Sequence, residues 1–102
     1  MNRYRSVTAP QKAEILIEVI VAIDHYTDED VPRTLTEQEC KKVYLLKHLG
    51  IGPIMTAQLS VPLTKISVRH GGRGVGVYSA QGAETIFDCY ALVLASITGE
   101  KP

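Results

Sequence analysis

The chain has 102 residues, 45% of them hydrophobic and 22% charged, with 11 basic and 11 acidic side chains that cancel. That is the length of one domain with a single modest core. A neutral total argues against a general polyanion binder. The absence of low-complexity tracts or internal repeats argues against long disordered arms.

The charge is nevertheless segregated along the chain. Residues 14–40 hold eight acids against Arg33, a net of −7, whereas residues 41–73 hold six bases and no acid. Such separation can build a local field in a neutral protein.

The polar start, Met1 to Ser6, lacks the apolar run of a secretory signal, which points to a cytoplasmic protein. Residues 1–9 read as a basic arm with Arg3 and Arg5, which either frays or follows a nucleic-acid groove. Residues 10–99 read as one globular domain.

A first helix is expected from about Pro10 to Tyr26. Thr8 or Ala9 is placed to cap it, and Pro10 suits its first turn. Its apolar residues, Ala13, Leu16, Ile17, Ile20, Val21 and Ile23 with Ile15, Val19 and Ala22, extend nearly all round. A strand competes for this β-branched stretch, but the length of the run favours helix. The run is interrupted by Glu18 and is far shorter than the ~20 residues of a membrane span.

Asp24 to Asp30 form an acidic loop whose spacing does not match a calcium-binding EF-hand. A second helix starts clearly. Thr36 followed by Glu39 is a capping box, with Leu35 and Cys40 placed as a hydrophobic staple. Cys40, Val43, Leu46 and Leu49 share one face, Lys41, Lys42 and Lys47 take the other, and Gly50 stops the helix.

Residues 51–70 support two readings. In one, Pro53 to Ser60 and Pro62 to His70 are short helices. In the other, Leu63 to His70 alternates as a strand, turns at His70-Gly71-Gly72-Arg73-Gly74 and pairs with Val75 and Val77. The β-branched, period-two pattern favours the hairpin. A last helix is expected from about Gly82 to Thr98, with Ile86, Phe87, Tyr90, Val93, Leu94 and Ile97 at helical spacing and Gly99 as its stop. This helix and the first carry more apolar surface than one face needs, which points to a homodimer through the two of them. The fold class expected is α+β, a small and mainly helical domain with one β-hairpin.

The segment Met55-Thr56-Ala57-Gln58-Leu59-Ser60, followed by Val61 to Arg69, resembles the positioning and recognition helices of winged helix-turn-helix regulators. Gly71 to Tyr78 resembles the wing. The resemblance spans about thirty residues. It implies that Thr64, Lys65, Ser67 and Arg69 face the major groove of double-stranded DNA while Arg73 reaches phosphate or the minor groove. Lys41, Lys42 and Lys47 would clamp the backbone.

Other chemistry has less support. The glycine turn with Arg69, His70 and Arg73 could cradle a phosphate, but it is neither a Walker loop nor a dinucleotide fingerprint. His25, His48 and His70 lie far apart and have no patterned partner in Cys40 or Cys89, so no zinc or catalytic constellation is indicated. The two cysteines read as reduced thiols, with a single disulfide as the alternative. No motif calls for a metal, a cofactor or an enzyme. The expectation is a DNA-binding transcriptional regulator. The alternative is a non-enzymatic interaction or accessory protein.

Overall fold

The structure is a computed structural model that describes residues 6–99. The expected basic arm with Arg3 and Arg5 lies outside these residues. Among them the elements run α1 (Ala9–Asp24), α2 (Glu37–Cys40), α3 (Leu45–Leu49), α4 (Pro53–Gln58), α5 (Ser60–Arg69), α6 (Val77–Gln81) and α7 (Ile86–Thr98).

The Thr8 hydroxyl accepts from the Gln11 amide at 3.2 Å and opens α1, and Pro10 sits where an amide has no helical partner. Ile15, Leu16, Val19, Ile20 and Ile23 form its buried face. They meet Leu63 and Ile66 of α5 and Ile86, Cys89, Tyr90, Val93 and Ile97 of α7 in one continuous core. Burying each such Ile or Leu contributes about 1.5–3 kcal/mol. The three longest helices therefore carry the fold, and the short ones pack around them.

The expected second helix begins and ends as its caps dictate but breaks in the middle. Thr36 and Glu39 form the capping box, at 3.1 and 2.9 Å, and Gly50 closes α3 at a left-handed φ of 66°. Between them the backbone extends at Tyr44 and makes an isolated antiparallel bridge to Thr85. The Leu45 amide donates to the Glu84 carbonyl at 2.9 Å, and the Ile86 amide to the Val43 carbonyl at 3.1 Å. The break rotates the apolar pattern, so Leu45 is buried and Leu46, expected in the core, is 64% exposed.

The hairpin is absent, and with it the α+β winged-helix fold. No strand occurs among the described residues. Residues 60–69 are helical: Pro62 falls in the first turn of α5, where it removes no bond, and the Leu63 amide reaches the Leu59 carbonyl at 3.0 Å. The glycine pair ends a helix instead of turning two strands. Gly71 takes a φ of 85°, its amide donates to the Val68 carbonyl at 3.0 Å, and the Gly72 amide donates to the Ser67 carbonyl at 2.8 Å. This is a Schellman cap. Val77, expected in the partner strand, instead starts α6.

The C-terminal helix starts at Ile86, not near Gly82. Thr85 and Asp88 form a second capping box, with Oγ1 accepting from the Asp88 amide at 3.1 Å and Asp88 Oδ2 accepting from the Thr85 amide at 3.1 Å. Gly99 closes it at φ 78°. α1 and α7 pack on each other and on α5, while Phe87, Leu92 and Leu94 of α7 are only partly buried. Among the large exposed hydrophobic residues, Ile17 lies on α1 and none lies on α7. No helix of the described residues is long and apolar enough to cross a membrane.

Candidate functional site

All six bases of residues 41–73 are exposed, and they have different surroundings. Lys41 sits over the Phe87 ring, 4.7 Å from its centroid. Lys42 lines a cleft with Glu29 and Asp30. Lys47 lines a different groove with Glu84. Arg69 is ion-paired with Glu18 of α1 at 2.9 Å. Among the described residues Arg69 is the one of the six in an ion pair. Lys65 and Arg73 belong to α5 and to the loop tied to it.

Two expected groove contacts are internal. The Ser67 side chain is fully buried, and its hydroxyl has no hydrogen-bond partner among the described residues. It points inward because it stands one position after Ile66 on the core face of α5. The Thr64 hydroxyl accepts from the Val75 amide at 2.8 Å and donates to the Val75 carbonyl at 3.3 Å. This clasp fastens the loop to α5 and occupies Thr64.

The glycine turn is not a phosphate cradle. Its amides are already used: Gly71 and Gly72 donate into the end of α5, Arg73 donates to the Ser96 carbonyl at 3.0 Å, and Val75 donates to Thr64. Backbone donors turned into the fold cannot also converge on an anion.

What the surface does offer is apolar. Tyr44, Leu45, Leu46, Ile51, Pro53, Thr56 and Ala83 line a groove of about 460 Å³ between α3, α4 and the loop after α6. Its floor is satisfied internally, because the Thr56 hydroxyl donates to the Gly52 carbonyl at 2.8 Å. Two of the nine large exposed hydrophobic residues, Tyr44 and Leu46, line it; Ile54 and Met55 lie on α4 and Val77 and Tyr78 on α6, with Met55 lining a separate cleft beside Tyr26 and Leu49. Ile54 is 76% and Tyr78 89% exposed. The helices that carry them, α4 and α6, pack on each other.

Family models, curated proteins and solved structures give no match to this chain.

The groove was missed at the sequence level because Leu46 fits the core pattern of an unbroken second helix, which tertiary contacts break at Tyr44. The cysteines are free and buried. Burial, followed by the charges of Glu39 and Glu37, pushes the Cys40 thiol up to about 11. Burial and the charge of Asp88 push Cys89 up to about 12. Thiols buried and held protonated in this way are poor nucleophiles at neutral pH. A third interior polar group, the Tyr90 hydroxyl, donates to Glu37 Oε1 at 2.6 Å and fastens α7 to the start of α2.

Proposed function

We propose that this chain is a non-enzymatic interaction module whose apolar groove between α3, α4 and α6 receives an amphipathic helix of a partner protein. The observation that carries this reading is a groove of mainly apolar lining that holds the exposed Tyr44 and Leu46, beside two packed helices, α4 and α6, with further exposed apolar residues. Contiguous apolar surface with a polar rim is costly to leave in water and marks an interface. The rim carries one charge of each sign, Lys47 and Glu84. An occupant with an apolar stripe flanked by both acidic and basic residues would match it.

The experiment is site-specific photocrosslinking in cells from a probe placed at Leu46, with Lys65 as the control position. The expected result is one protein adduct that is formed from position 46, lost in Tyr44→Asp and retained in a Lys65→Ala, Arg73→Ala variant. The captured protein, once purified, should bind the chain one to one. An adduct of twice the chain's own mass would make a second copy the occupant. Equal labelling from positions 46 and 65 would remove the groove as the site.

Duplex DNA is the second reading. It is supported by Lys65 and Arg73, which are exposed and free of ion pairs among the described residues, on α5 and on the loop that Thr64 fastens to it, with Arg69 one helical turn beyond Lys65.

A further inference from the structure

We infer that Glu14, Glu18 and His70 form a binding site for a divalent transition ion, of the zinc or cobalt kind, at the seam between α1 and the end of α5. One donor atom from each of the three lies within 4.8 Å of the other two. The carboxylates stand four residues apart on α1, so they share a face. The imidazole arrives from the other helix, where His70 closes α5. Its side chain is only 10% exposed.

The imidazole is gripped at both ring nitrogens. Nε2 lies 3.2 Å from Glu18 Oε1. Nδ1 lies 3.3 Å from the Gln11 amide nitrogen. Glu18 is fixed in turn, since its Oε2 accepts from Arg69 at 2.9 Å. Ligating histidines are held in this way, with the metal-side nitrogen beside a carboxylate and the other nitrogen on an outer partner that sets the tautomer.

For ligation, Nε2 must present a lone pair and Nδ1 its proton. A half turn of the Gln11 amide supplies the oxygen that accepts that proton. Arg69 keeps Oε2, leaving Oε1 for the ion. Donors around zinc stand roughly 3.4 Å apart at bonds of about 2.1 Å. The Glu18–His70 pair already has nearly that spacing, and a donor of the exposed Glu14 lies within 4.8 Å of both. Three protein ligands leave a coordination position open to water. One imidazole with two carboxylates selects zinc or cobalt over magnesium, which prefers an all-oxygen shell.

Glu14 separates this inference from a purely structural cluster. It makes no hydrogen bond or ion pair among the described residues, whereas Glu18 and His70 link α1 to α5 with or without an ion. Calorimetric titration of the full chain with Zn²⁺ should give one ion per chain and a rise in Tm, and Mg²⁺ should give neither. Glu14→Gln should weaken Zn²⁺ binding by about tenfold or more while leaving the Tm in chelator unchanged. His70→Ala should lose binding as well as some stability. Bound Co²⁺ should show ligand-field absorption without a thiolate charge-transfer band. Absence of Zn²⁺ binding, affinity unchanged in Glu14→Gln, or a thiolate band that places the ion on the cysteines would each overturn the site.

Discussion

At the scale of single residues, Gly72 is a position with no room for a side chain. A Cβ placed there would overlap the Ser67 hydroxyl and stand 2.8 Å from Ile97 Cγ1 and 2.9 Å from Ile97 Cα. The last of these is backbone and cannot swing aside. Gly72→Ala should therefore cost about 1–3 kcal/mol through overpacking, or roughly 4–20 °C in Tm for a domain of this size. Gly52→Ala is the control, because a Cβ there meets nothing within 4 Å. Thermal melts of the pair check this. The importance of Gly72 was not legible in the sequence. The glycines announced a turn, but only coordinates show that α5 and α7 close on this one.

The buried thiols make a second statement at this scale. Their folded pKa values lie above the unfolded value near 9, so the unfolded chain releases these protons first as pH rises. Stability from this source is complete below about pH 9 and falls as pH climbs toward about 11–12. Tyr90, raised by burial and by its bond to Glu37, acts in the same direction above about pH 10. Urea midpoints should therefore drop steadily on the alkaline side. Cys89→Ala should show a shallower drop, even from a lower starting stability. A flat profile between about pH 9 and pH 11 would contradict the assignment.

Among the secondary-structure elements, those with strong end signals were readable and those decided by contact were not. Thr8 with Pro10, the Thr36–Glu39 box, Gly50 and Gly99 each act through bonds a few residues long, and each boundary stands where local chemistry puts it. The break at Tyr44 is different. It exists because residues forty positions away offer the Glu84 carbonyl and the Ile86 amide. Residues 63–70 went the same way: their alternation suits a strand, yet their burial follows the helical positions Leu63, Ile66 and Ser67. Thr85 joins both halves of this account, because it caps α7 and sits in the bridge to Tyr44. Thr85→Ala should cost about 0.5–2 kcal/mol, the usual value of a lost N-cap. Thr85→Ser should recover most of it. Equal melts for the Ala and Ser variants would show that the hydroxyl does not matter.

For the molecule as a whole, the question is which surface meets a partner, and charge distribution decides how to ask it. The separation along the sequence does not carry over unchanged into the fold: Lys42 lines a cleft with Glu29 and Asp30, Lys47 a groove with Glu84, and Arg69 is ion-paired with Glu18. An exposed pair such as Arg69–Glu18 contributes at most about 1 kcal/mol, so its consequence is for recognition more than for stability. The candidate site was illegible for the same reason the charge pattern misled: both depend on which residues meet across the fold. Glu14 and Glu18 were visible as a helical pair, but His70 lies 52 residues beyond Glu18. Salt separates the two functional readings. A duplex held by Lys65, Arg69 and Arg73 would show a log–log slope of about −2.7, a loss of roughly 40-fold between about 50 and 200 mM salt. A helix seated in the α3–α4–α6 groove buries its apolar stripe, which salt does not screen, so its affinity should fall by no more than about threefold over the same range. Lys65→Ala with Arg73→Ala should leave that affinity and the Tm unchanged, whereas Leu46→Asp, at a site 64% exposed, should abolish binding without unfolding the chain. A steep salt slope, together with full binding by Leu46→Asp, would transfer the function from the groove to α5 and its loop.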